Sequence, residues 1–158
     1  MSLVSTSLGL MLLAAATAYP MTANSAAPAD IPADYLAEYR QAASTCGPLD
    51  WALLAGVGKV ETDHGRSPLP GVHSGANSAG ARGPMQFLPA TFADVRGHHP
   101  EVGPNVYNPR HAIPAAAHYL CDSGLAHGNT RRALWAYNHS TAYADDVLDH
   151  AARYRNAG

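Results

Sequence analysis

Apolar side chains recur at helical spacing along most of this chain, and nowhere do they alternate over the length of a strand. Tyr35, Leu36, Tyr39, Ala42, Ala43 and Cys46 predict a first helix, with Asp34 available as its N-cap. Pro48 and Asp50 open a second, which runs through Trp51, Leu54, Ala55, Val57 and Val60 to Glu61 in its last turns, with Gly65 as a left-handed stop. A short helix is predicted over 85–95. Asn108, Pro109 and Pro114 mark the start of another, through Ala115, Ala116, Tyr119 and Leu120, ending near Gly124. Asn129 caps a helix through Ala133, Leu134, Trp135 and Tyr137. Ser140 starts the last, where Tyr143, Val147, Leu148, Ala151 and Tyr154 form the apolar stripe and Asp145 and Asp146 occupy the first turn, favoured there by the helix dipole. The pattern predicts a mainly α single domain whose function is borne on loops.

Two stretches hold no periodicity. Residues 67–84 carry four glycines and three prolines, which predicts an ordered irregular loop, and 96–108 is irregular too. With 158 residues, 47% hydrophobic and 14% charged, the chain fits one core and not two. A formal net charge of -2 supplies no basic field for nucleic acid. The first 27 residues have no charged side chain, and the apolar run Leu8 to Ala18 is too short to span a bilayer, so it reads as an export signal despite its uncharged start. A Pro- and Ala-rich linker, Thr22 to Pro32, follows. The expected division is therefore signal and start of linker over 1–27 and one domain over 28–158. For an exported chain the two cysteines, Cys46 and Cys121, are a natural disulfide pair that would stabilise the fold by roughly 4 kcal/mol; the alternative is two buried thiols.

The chemistry centres on Glu61. A carboxylic acid at the end of an apolar helix, followed by the Gly- and Ser-rich segment 75–86, suggests acid-catalysed cleavage of a sugar chain, which needs a carboxyl held protonated near neutral pH by apolar surroundings. Most glycosidases flank the bond with two carboxylates, whereas substrate-assisted enzymes manage with one. Asp63 is poorly placed as a partner, since two residues along a helix turn it some 200° away. The nine histidines show no zinc-binding spacing and read as solvated or core residues, so no metal and no cofactor are expected.

Residues 58–66 (GKVETDHGR) followed by 80–89 (GARGPMQFLP) resemble the lytic murein transglycosylases, in patterns closest to the membrane-bound type B branch and akin to the soluble SLT type. Asn108-Pro109 through Ile113 to Tyr119-Leu120, and Ala136-Tyr137-Asn138, are similar to two further blocks of that family, so the motif-bearing core covers 46–154. The resemblance implies a lysozyme-like domain that cleaves the bond between N-acetylmuramic acid and N-acetylglucosamine in peptidoglycan, with Glu61 as the catalytic acid. It also implies Met85 and Gln86 lining the sugar cleft, and Tyr137 and Asn138 approaching from a later helix. Asn77 matches a polar position of the family, while Ser78 stands where relatives carry an aromatic. Arg66 has two readings, a contact to the peptide stem or a cap on the preceding helix. Gln86 could alternatively cap a helix, and Tyr137 and Asn138 serve as core aromatic and C-cap. Type B relatives commonly carry an acidic calcium loop, but residues 96–105 contain a single carboxylate, so that site is not expected. The expected protein is an exported monomer acting on glycan strands, with no mature membrane span. Its rivals are a hydrolytic muramidase using the same Glu61 and a silent wall-binding module.

Overall fold

The computed structural model describes residues 28–157; the stretch expected to be an export signal and the start of the linker lies outside the described residues. Six α-helices and no strand occur among them. They are α1 (Ala33–Ala42), α2 (Trp51–Thr62), α3 (Pro89–His98), α4 (Pro109–Asp122), α5 (Thr130–Asn138) and α6 (Thr141–Ala157), with 3-10 turns at Ala43–Thr45 and Leu125–His127.

The second helix is the axis of the fold. Its seven consecutive residues Ala52 to Gly58 are all buried, so α2 has no solvent face over that length and must be wrapped by other helices. Asp50 caps it as expected, accepting a hydrogen bond from the Leu53 N–H at 2.8 Å. Along one side lies α6, whose stripe Tyr143, Ala144, Val147, Ala151 and Tyr154 is buried at helical spacing. A Cβ added at Gly56 would come within 2.6 Å of the Val147 carbonyl oxygen, so only glycine lets these two backbones approach so closely. The helices α1 and α4 complete the wrapping, α4 through Ala112, Ile113, Ala116, Leu120 and Cys121. Cys46 and Cys121 form a disulfide, with Cα atoms 6.2 Å apart, joining the segment after α1 to the end of α4.

Several boundaries depart from the pattern. Asp34 does not cap α1; Pro32 occupies the N-cap without a side-chain bond, and Asp34 falls in the first turn. The first helix ends at Ala42 and tightens into a 3-10 turn before Cys46. The linker's last residues belong to the domain, since Ile31 is buried in the core. Helix α2 stops before Gly65: Asp63, His64 and Gly65 all take left-handed φ values of 51°, 56° and 73°. The third helix begins at Pro89 rather than at Met85, because residues 82–87 close a tight turn through a bridge between Arg82 and Phe87. Pro114 lies inside α4, not at its start. Asn129 stands at the N-cap of α5 without a side-chain bond. The first turn of α6 holds no acidic residue, and Asp145 instead pairs with Arg131 at 2.7 Å.

Candidate active site

The last turn of α2 carries Glu61 to a half-buried position. Its Oε1 accepts a hydrogen bond from the Tyr143 hydroxyl of α6 at 2.7 Å. Burial pushes the carboxyl up to about 7, and the bond from Tyr143, which favours the charged form, only partly opposes it. Two residues on, Asp63 is in the opposite condition. It receives hydrogen bonds from Arg66 at 2.7 Å and from Lys59 at 2.6 Å, and the Arg66 bond above all holds it down to about 2. One end of one helix thus carries a carboxyl that keeps its proton near neutrality and another that never does.

The position of Glu61 depends on what pins that helix end. Thr62 is buried and its hydroxyl donates to the Pro84 carbonyl at 2.6 Å while accepting from the Gly65 N–H at 2.8 Å, which fastens α2 to the glycine-rich loop. His64, 1% exposed, is held by the Tyr39 hydroxyl at Nδ1 (3.0 Å) and the Tyr154 hydroxyl at Nε2 (2.9 Å). Its pKa is lowered to about 4, chiefly by burial, so the ring stays neutral with both nitrogens satisfied. This buried network stabilises a non-glycine residue in the left-handed region.

Across from α2, the loop 71–87 folds on its own polar groups. The Gly83 N–H donates to the Gly71 carbonyl at 2.7 Å, and Arg82 and Phe87 exchange both backbone bonds at 2.9 Å. Gly83 has φ 77°, and a Cβ there would collide with the Val106 carbonyl. Asn77 Oδ1 accepts from the N–H groups of Ala79 and Ala81, and its Nδ2 donates to Gln86 Oε1 at 3.0 Å. Gln86, in a left-handed conformation (φ 49°), donates from Nε2 to the Gly83 carbonyl at 2.8 Å. Asn77 and Gln86 therefore shape the loop and present it as one unit.

Tyr137, from α5, links the two halves. Its hydroxyl donates to the Met85 carbonyl at 2.8 Å, and its ring stacks on Tyr143 with centroids 6.2 Å apart and planes 7° from parallel. It also lines a pocket of about 120 Å³ with Gln86, Phe87, Leu88, Thr91, Tyr119 and His139. Glu61 is not among the pocket's lining residues; Tyr137 belongs both to the pocket wall and, through Tyr143, to the carboxyl's setting. Of the residues expected from sequence, Glu61, Asn77, Gln86 and Tyr137 thus fall into one connected arrangement. Met85 joins it through its carbonyl alone, because its side chain is fully buried. Asn138 is exposed as the last residue of α5. Arg66 is exposed and engaged with Asp63, so it acts on the end of α2 rather than on the pocket. Sequence reasoning missed Tyr143. Its position in an apolar stripe reads as core; the available signal is that a buried tyrosine hydroxyl requires a partner.

Six helices, three of them packed around the apolar α2, with a carboxyl at the end of α2 where Thr62 fastens that helix to a glycine-rich loop, define a mainly α, lysozyme-like domain. The sequence model of the transglycosylase SLT domain matches residues 39–155, and the chain belongs to that family, which acts on peptidoglycan. No curated protein and no solved structure matches it.

Proposed function

We propose that this protein is an exported lytic transglycosylase that breaks the bond between N-acetylmuramic acid and N-acetylglucosamine through Glu61 and leaves a 1,6-anhydro-muramic end. The observation that carries the reading is the Glu61 carboxyl, half-buried, protonated up to about pH 7 and held by a single phenol. In the first step Glu61 gives its proton to the bridging oxygen as the C1–O bond breaks, so the departing N-acetylglucosamine leaves as an alcohol. The substrate's own N-acetyl oxygen covers the electron-poor C1. In the second step the Glu61 carboxylate takes the proton of the muramic C6 hydroxyl while that oxygen closes on C1. The acid is regenerated and no water is consumed.

Tyr143 suits both halves of this cycle. Burial and the adjacent Glu61 raise its own pKa, so the phenol remains a donor and steadies the carboxylate between steps. Asp63, the nearest acid in sequence, is engaged by Arg66 and Lys59, which favours substrate assistance over a paired-acid mechanism. Peptidoglycan chemistry and the disulfide together support export, and no helix among the described residues is long and apolar enough to cross a membrane.

Mass spectrometry of purified sacculi digested by the protein tests the proposal. Muropeptides lighter by one water than their reducing counterparts are expected. Reducing ends alone would make the enzyme a hydrolytic muramidase, and no soluble product at all would leave a wall-binding module.

A further inference from the structure

Outside the pocket wall, three side chains separated in sequence converge near α3 and α4. His99 follows the last residue of α3, Glu101 lies in the turn after it, and His118 is on α4; their donor atoms all lie within 4.8 Å of one another. None of the three lines the pocket beside Tyr137. We propose that His99, Glu101 and His118 bind a divalent transition-metal ion of the zinc class, with Asp122 orienting His99.

His99 Nε2 is 2.7 Å from Asp122 Oδ2, a distance at which the ring N–H is donated to the carboxylate. A neutral imidazole so engaged has its lone pair on Nδ1, and that atom faces Glu101 Oε1 at 3.7 Å. An acceptor facing an acceptor is relieved by a proton on Nδ1 or by a metal ion between the two atoms. His118 Nε2 meets the same Glu101 oxygen at 3.1 Å, and the two imidazole rings are stacked with centroids 3.8 Å apart and planes 24° from parallel, so one ring must turn out of the stack for both lone pairs to meet a single ion. Tetrahedral zinc with bonds of about 2.0 Å sets its ligand atoms ~3.3 Å apart, close to the two distances to Glu101. Two imidazoles and one carboxylate favour zinc and its first-row neighbours over calcium or magnesium, which take oxygen alone.

The carboxylate behind His99 is the independent observation. Metal-binding histidines characteristically donate their other ring N–H to an acidic group, which fixes the tautomer and strengthens the donor. Asp122 does this here from the last residue of α4, four residues beyond His118. Accessibility also fits: His99 and His118 are 22% and 18% exposed and Glu101 61%, which leaves the third ligand able to rotate and a fourth position open to water.

Such an ion would tie the start of the 99–108 connection to α4. That connection bears on the cleft loop: the Val106 carbonyl packs at Gly83, and the Tyr107 hydroxyl donates to the Gly75 carbonyl at 2.5 Å. The proposed metal is thus a brace on the loop's support, with no part in bond cleavage.

Tag-free full-length protein, stripped with chelator and dialysed, is titrated with zinc chloride by calorimetry, and with cobalt chloride while visible absorption is recorded. One saturable equivalent is expected, with the intense absorption of tetrahedral cobalt and a rise in Tm on zinc addition. The His99→Ala, His118→Ala double variant should lose that equivalent, and Asp122→Asn should weaken it about 10- to 100-fold. No saturable binding in the parent, or the same binding in the double variant, overturns the proposal and leaves an imidazole–carboxylate ion-pair cluster. Because the readouts are metal binding and Tm, they stand whatever the product analysis on sacculi gives.

Discussion

Glu61 and His64 are three residues apart at the same helix end, both are drawn out of water, and they do different things. His64 has each nitrogen closed by a tyrosine hydroxyl, so its proton inventory is fixed and its work is structural. Glu61 has one oxygen closed by Tyr143, and no buried side-chain oxygen among the described residues lacks a partner, so its other oxygen is not fully shut away from solvent. Burial moves both pKa values toward the neutral form, up to about 7 in one case and down to about 4 in the other. Burial alone therefore does not distinguish the proposed catalytic acid from a structural group. The count of satisfied atoms does.

The largest expected effect comes from Glu61→Gln, which keeps the shape and the Tyr143 contact but has no proton to give. Release of soluble muropeptides should fall by about 10³-fold or more. Stability supplies a second readout. The raised Glu61 pKa contributes stability that is present below its unfolded value of 4.5 and is lost as pH rises toward about 7. The lowered His64 pKa contributes in the other sense, fully above 6.5 and progressively lost as pH falls toward about 4. In the parent the two slopes oppose each other between pH 4.5 and 6.5. In Glu61→Gln the opposing slope is gone, so chemical denaturation should show stability rising with pH across that window. An unchanged rate in this variant would remove the distinction between the two residues.

Next in size is His64→Ala. It leaves the Tyr39 hydroxyl buried without its imidazole partner and opens a cavity beneath the left-handed turn, at a cost of about 3 kcal/mol in urea unfolding. A loss below about 1 kcal/mol would mean that Thr62 and the Asp63–Arg66 pair suffice to end α2. The smallest effect belongs to Tyr143→Phe. The bond that holds the Glu61 pKa down disappears, so the pH–rate profile should move to higher pH, with kcat lower by about tenfold. A profile that stays in place would show that the phenol does not tune the acid.

Much of this was legible from residue order. The uninterrupted apolar run of α2, the Asp50 cap and the stripe of α6 are local patterns, and local physics produced them. The buried setting of Glu61 was legible because an acid at the end of such an apolar run is drawn out of water. What escaped was set by contacts between distant segments. Tyr143 meets Glu61 across 82 residues, Thr62 meets Pro84 across 22, and no periodicity in either segment encodes the meeting. Asp34 failed as a cap, with Pro32 taking the N-cap beside the buried Ile31, and Gly65 takes its left-handed conformation only after Asp63 and the buried His64 have already turned the backbone. His99 and His118 escaped as a cluster because a loop and two turns of α4 separate them.

The helix α6 supplies both tyrosines, Tyr143 to the acid and Tyr154 to the imidazole, eleven residues or about three turns apart. During synthesis the carboxyl therefore emerges long before the phenol that positions it. A nascent chain arrested before residue 143 would carry Glu61 in an unfinished setting, and wall-degrading capacity would arise only once this late segment has docked. Timing of that kind would spare the producing cell from its own enzyme while the polypeptide is still being made.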